Sequence, residues 1–289
     1  MTGAGVITQR LAAGPGAELG VLPFVALVLA ALLVGVSKTA VSGVATLSVA
    51  LFAAVLPARE STGVLLPLLL VGDVLAVRAY RGHADRAVLL RLLPSVAAGL
   101  VLGVVFVART SDVVMRRTIG VLLLTVAVHH GWQRARTRAR SRARARAQGP
   151  EQGKGRQDRG RPGVGEDTPT VRQHRLQTVF FGLVAGFATM VANAGGPAMS
   201  LYLLSSGFGV LGFLGTGAWF FLIVNLVKVP FSVGLGLITA DGLALDGLLA
   251  LAVVVGAGVG RALVHRIDQG AFERLVLVFT ALASVDLLR

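Results

Sequence analysis

Lys38, Asp73, Asn225 and Lys228 stand inside long apolar runs: GVSKTAVSG (35–43), LLLVGDVLAV (68–77) and FLIVNLVKVP (221–230). A Lys or Asp at the centre of a membrane helix costs about 2.5–3.5 kcal/mol on insertion scales. The chain has only three lysines, at 38, 154 and 228, and arginine supplies the positive charge elsewhere. An ammonium in an apolar setting attracts an anion, and a nearby carboxylate governs its charge. Such a lysine also exchanges protons, which suits proton-coupled transport. The competing explanation is that Asp73 pairs with a lysine solely to make burial tolerable, or that Lys228 snorkels to an interface.

Two polar interruptions accompany these residues. Ser37, Thr39, Ser42 and Gly43 break the first apolar region, and Thr189, Asn193, Gly195, Gly196 and Pro197 break a later one. Glycine permits unwound or closely packed backbone, and proline suits the first turn of a new helix. Non-helical backbone at membrane depth survives only against protein or a water-filled cavity. A helix starting there points its first amides at that cavity, which favours an anion. Close packing through small residues is the alternative for any single glycine. Trp219, Phe220 and Phe221, following Gly215-Thr216-Gly217, and Trp132 read as an interfacial aromatic belt.

The elements that carry these residues are membrane helices. Of the 289 residues, 54% are hydrophobic and 15% charged, with a mean hydropathy of +0.76. Soluble domains run at about 25% charged. Runs of roughly 20 apolar residues, enough to cross the hydrocarbon, occupy 62–80, 87–108, 113–130, 211–234, 243–264 and 271–288. Regions 18–56 and 176–206 are apolar but interrupted. The runs lack the alternation of barrel strands, and the first fits a cleavable signal poorly. With no cysteine, disulfides and thiolate chemistry are excluded. The five histidines (83, 129, 130, 174 and 265) lie near helix ends or in the basic loop, without metal-ligand spacing. No cofactor or metal is expected.

The sequence therefore predicts an all-α, polytopic membrane helical bundle. It has two similar halves and about eight spans, and a broken or short helix pair opens each half. Residues 1–130 form the first membrane repeat and 176–289 the second. VGVSKTAVSG (34–43) parallels AGFATMVANAGG (185–196), STG (61–63) parallels GTG (215–217), and MRRTIGVLLL (115–124) parallels FERLVLVFT (272–280). With Thr62 matched to Thr216, Asp73 falls one position before the equivalent of Lys228. Secondary transporters are commonly built from such repeats.

Between the halves, 131–175 holds 13 Lys/Arg and four Asp/Glu, so much of the net charge of +14 is local. Seven arginines in 134–147 crowd like charge, and the segment reads as a disordered cytoplasmic linker that fixes orientation. Contact with anionic lipid is an option for it, and nucleic acid is a poor one. Arg78, Arg81, Arg86 and Arg91 agree with a cytoplasmic linker, whereas Arg109, Arg116 and Arg117 dissent. If each interrupted region makes one net crossing, both termini are cytoplasmic; if both of its helices cross fully, the parity changes.

The strings GVSKTAVSG (35–43), PARESTGVLLPLLLVGDVLAVRAYRGHAD (57–85), NAGGPAMSLYLL (193–204) and GTGAWFFLIVNLVKVP (215–230) resemble the TauE/SafE sulfite exporter family. They are most similar to a branch with a lysine in the first break and NAxGP in the second. The resemblance covers most of both membrane halves but not the linker. It implies a multi-helix permease with duplicated halves that moves small sulfur-containing anions such as sulfite, sulfoacetate or other organosulfonates. Lys38, Asp73, Asn193, Gly195, Pro197, Thr216, Asn225 and Lys228 occupy the branch's polar motif positions. Better-known members carry a glycine run where this chain has Ser42-Gly43 and Gly195-Gly196.

The leading expectation is a secondary carrier of small anions in the cytoplasmic membrane, not an enzyme. Its site lies between the halves, near both breaks, and comprises Lys38, Ser42, Gly43, Asp73, Asn193, Gly195, Gly196, Pro197, Thr216, Asn225 and Lys228. No GxxxxGK[ST] phosphate loop supports primary active transport. The alternatives are a carrier or channel for another solute, including a cation bound at Asp73, and then an intramembrane enzyme or partner subunit. The last is disfavoured because Asp73 is the one acid well inside a long span and no buried histidine accompanies it.

Overall fold

The computed structural model of the chain describes residues 20–39, 44–147, 171–206, 208 and 210–263, with 278, 285 and 288 beyond. Its helices are α1 (Val21–Thr39), α2 (Val44–Val55), α3 (Ala58–Tyr80), α4 (Arg86–Arg109), α5 (Asp112–Ala147), α6 (Val171–Ala192), α7 (Gly196–Ser205), α8 (Val210–Gly234) and α9 (Ala240–Leu263). A 3-10 turn, Arg81–His83, follows α3. No strand occurs among the described residues, so the fold is all-α as expected. Among the described residues, five helices are long and apolar enough to cross a membrane: Val21–Thr39, Ala58–His83, Arg86–Arg109, Leu211–Gly234 and Ala240–Ala262. The expected run 113–130 lies within α5, and 271–288 lies almost wholly outside the described residues. Leu90, Leu102, Phe180, Leu248 and Leu251 project outward, each more than half exposed. A lipid solvent accounts for such outward-facing apolar surface.

Glycines set the helix pairing. The two most extensive contacts are α4 with α6 and α1 with α9. A Cβ on Gly35 would collide with the Val253 carbonyl, and one on Gly256 with the Leu32 carbonyl. At the other pair, Gly99 lies against the Leu183 carbonyl and Gly186 against the Val96 carbonyl. Gly260 meets Val36 and Thr39 further along, so α1 runs parallel to α9; Gly103 meets Met190, so α4 runs parallel to α6. By contrast α3 and α8 are antiparallel. Gly63, near the start of α3, abuts Leu237 just past the end of α8, and Gly215, near the start of α8, abuts Tyr80 and His83.

These directions settle how the interrupted regions run. The α1 helix ends beside Tyr80, whose hydroxyl donates to the Thr39 carbonyl at 3.0 Å. The α2 helix then delivers the chain to Ala58 at the opposite end of α3. Together α1 and α2 run out and back along α3. The pair combines a 19-residue helix with a 12-residue return. The second pair repeats the pattern with 22 residues in α6 and 10 in α7.

Two other expectations change. Helix α5 continues to Ala147, where unstructured chain was predicted from 131. Arginine and alanine are both strong helix formers, and extending an existing helix needs no new nucleus. Residues 148–170 lie outside the described residues. Phe220 is fully buried, and Trp219 and Phe221 are half-buried, so these three rings do not form an outward-facing belt.

Candidate functional site

Helix α8 presents Phe221, Asn225 and Lys228 at spacings of four and three, which stacks them on one face. That face meets Asp73 of α3, itself one residue from Gly72. The space left by Gly72 is filled by the Lys38 stem, since a Cβ there would stand 2.9 Å from Lys38 Cγ. A glycine is thus what lets the α1 lysine reach α3. Lys38 Nζ pairs with Asp73 Oδ1 at 2.5 Å and lies 4.5 Å from the Phe221 ring centre. Asn225 Nδ2 donates to Asp73 Oδ2 at 2.7 Å. Both carboxylate oxygens are therefore engaged. A cation at Asp73 would first have to displace an ammonium.

The network continues inward. Lys228 Nζ donates to Asn193 Oδ1 at 2.5 Å, to Asn225 Oδ1 at 3.4 Å and to Thr189 Oγ1 at 3.5 Å. Asn193 Nδ2 donates to the Thr62 carbonyl at 3.0 Å, and this fixes the orientation of its amide. Asn193 ends α6 with φ +50°, a left-handed backbone that Asn tolerates. The amide of Ala194 reaches back to the Ala188 carbonyl at 3.2 Å, and Pro197 then sits in the first turn of α7 as expected. Asp73 and Lys228 are fully buried, whereas the Lys38 side chain keeps 11% exposure.

That exposure faces a cavity of about 230 Å³. Ser37, Lys38, Thr46, Asp73, Thr189, Asn193, Ser200 and Asn225 supply its polar lining, and Leu69, Met199, Leu203, Phe213 and Leu214 are among its apolar residues. Two helix starts border it: Ala45 and Thr46 in the first turn of α2, and Gly196 and Pro197 in that of α7. The first amides of a helix lack intrahelical partners and carry partial positive charge. With its three ionic groups charged, the cluster of Lys38, Lys228 and Asp73 has one net positive charge. Such an arrangement can hold a small anion with an apolar body.

Of the predicted residues, Lys38, Asp73, Asn193, Gly196, Pro197 and Asn225 line this cavity. Lys228 lies behind it, joined through Asn225 and Asn193. Gly195 packs back onto α6, where a Cβ would be 2.9 Å from both the Ala185 carbonyl and Thr189 Cβ. Ser42 and Gly43 lie outside the described residues. Thr216 is elsewhere: its hydroxyl accepts the Asp85 amide at 3.0 Å, pinning the turn into α4. Replacing Thr216 with valine is expected to lower stability by about 1 kcal/mol while flux stays within roughly twofold. Thermal unfolding and liposome flux of the purified variant measure both.

Phe221 and Thr189 were missed as site residues. The signal for Phe221 was its place one turn before Asn225 on the face of Lys228. Asp246 was also passed over. It lies in α9, 6% exposed, so Asp73 is not the one buried acid of the spans; its Oδ1 has no hydrogen-bond partner among the described residues.

The model of the family described as Sulfite exporter TauE/SafE matches residues 27–287. No curated protein and no solved structure matches the chain.

Proposed function

Because the chain belongs to the TauE/SafE sulfite exporter family, whose members are membrane transporters of sulfite-type anions and not enzymes, we propose that it carries sulfite or organosulfonates through the cavity between α1, α3, α7 and α8. The chain is a multi-pass membrane protein, and the reading sets it in the cytoplasmic membrane with its Arg-rich segment on the cytoplasmic side. The observation that carries this function is Lys38, exposed to an otherwise largely apolar cavity and flanked by two helix starts.

The site also falls between two repeats, 1–130 and 176–289, related by inversion. Several contacts favour that layout. The α1–α9 pairing through Gly35 and Gly256 is answered by α6–α4 through Gly186 and Gly99, and Gly35 and Gly186 are matched in the sequence alignment. In the first half the break residue Lys38 bonds the long-helix Asp73; in the second, Asn193 bonds the long-helix Lys228. Antiparallel α3 and α8 fit inverted repeats, whose interface is where secondary transporters bind solute.

Cavity size favours organosulfonates over bare sulfite. An oxyanion of four heavy atoms fills the space of a few waters at roughly 30 Å³ each, well short of about 230 Å³. Most of the remaining lining is apolar. Each buried methylene contributes about 0.8 kcal/mol, so propanesulfonate is expected to outcompete methanesulfonate on the order of tenfold. Purified protein in liposomes, loaded with labelled sulfite or sulfonate, tests the function. Flux absent for both, or equal inhibition by the two sulfonates, contradicts it.

A further inference from the structure

We infer that Asp73 sets the charge selectivity of the cavity, so that the carrier accepts monovalent oxyanions and rejects divalent ones. This rests on reading the cavity as the anion site and adds which ionic form enters it.

The charge count follows from the network. Lys38 and Asp73 are the two ionisable residues among those lining the cavity. Lys228 joins them through Asn225, whose amide bridges Lys228 Nζ at 3.4 Å and Asp73 Oδ2 at 2.7 Å. Among the described residues, α2 carries no ionisable side chain to alter the sum. The contacts of each lysine suit an ammonium. Lys38 meets a carboxylate and an aromatic face, and Lys228 has three N–H groups for the oxygens of Asn193, Asn225 and Thr189. With both lysines as ammoniums and Asp73 as a carboxylate, the sum is one unit of positive charge.

A monoanion brought to Lys38 makes the cluster neutral. A dianion leaves it one unit negative, away from water, which low-dielectric surroundings penalise heavily. Asp73 adds to that penalty directly. It is held on Lys38 at 2.5 Å, so an entering oxyanion must share that ammonium with a carboxylate of its own sign. Asn225 prevents Asp73 from swinging away, because it grips the second oxygen. The carboxylate thereby acts as a built-in reference charge against which the solute is measured. Sulfite would enter as its singly protonated form, and sulfonates enter as they are.

Sulfate and methanesulfonate are tetrahedral and close in size, and they differ chiefly by one charged oxygen replaced with a methyl group. In liposomes of the wild-type protein, methanesulfonate is expected to inhibit labelled-sulfonate flux on the order of tenfold better than sulfate. Asp73→Asn removes the reference charge and leaves two net positives, so its preference shifts toward sulfate by a similar factor. The ratio of the two inhibitors is read within each preparation, so a low yield of folded variant does not disturb it. Equal inhibition by sulfate and methanesulfonate in the wild type overturns the inference without touching transport. An Asp73→Asn ratio unchanged from wild type overturns it as well. Failure of every sulfur oxyanion to cross or inhibit removes the anion site beneath it.

Discussion

Lys38→Met is expected to abolish measurable anion flux and to destabilise the protein together, and the two effects separate on a second substitution. Removing one partner of a buried ion pair costs about 3–5 kcal/mol, because the other charge is left uncompensated. Asp73 is fully buried, so the carboxylate left behind bears that cost. Losing the ammonium also removes a charged hydrogen bond to the solute, worth about 1.5–3 kcal/mol, or roughly ten- to a hundredfold in affinity. The cluster then sums to zero and no longer draws an anion in. Adding Asp73→Leu removes the stranded carboxylate, and apolar replacement of a buried pair is often neutral or stabilising. The double variant keeps the Lys228 charge but has no ammonium facing the cavity, so it is expected to regain most of its thermal stability in detergent and none of its flux. Recovery of flux along with stability would mean that Lys38 serves only to neutralise Asp73.

The parts of this site that the sequence made legible are those with an energetic signature in one dimension. Lys38, Asp73, Asn225 and Lys228 announce themselves because each is costly in an apolar run. Asn193 and Pro197 announce themselves because they interrupt helix where helix is otherwise favoured. What the sequence left open was pairing. Asp73 was expected to meet a lysine, but Lys38 and Lys228 lie on helices that approach it from different sides. The choice between them depends on Gly72 making room for the Lys38 stem. Phe221 was assigned to the membrane interface because aromatic residues are common there. Its role emerged only once its helical face was known to be that of Asn225. Thr216 entered the site on a motif match, which carries no information on which neighbour a hydroxyl finds, and here it is the Asp85 amide. The direction of the short helices was likewise invisible, since α2 and α7 are too short to reveal which end of the bundle they approach.

Those directions rest on glycines, and substitution at them is expected to destabilise the bundle. Gly99→Ala and Gly186→Ala each place a Cβ against backbone of the facing helix. At Gly99 the neighbours include the Phe187 amide nitrogen at 2.9 Å, and at Gly186 the Leu100 amide nitrogen at 2.9 Å, with a carbonyl oxygen nearer in both cases. Backbone cannot rotate aside as a side chain can, so the α4–α6 pair must separate. Overpacking of this kind costs about 1–3 kcal/mol per site, and membrane helices associate largely through close packing of small residues. The two positions lie on the same interface, so each change alone separates the helices and the pair in combination is expected to cost less than the sum of the two. Gly217→Ala, Gly247→Ala and Gly258→Ala are the controls, since a Cβ at any of them meets nothing within 4 Å. Alanine is also the better helix former by about 1 kcal/mol, so the controls are expected to hold or gain stability. Thermal unfolding of the five variants in one detergent ranks them. If Gly99→Ala and Gly186→Ala unfold no earlier than the controls, close approach of α4 and α6 is not what holds the Asn193 break against Lys228.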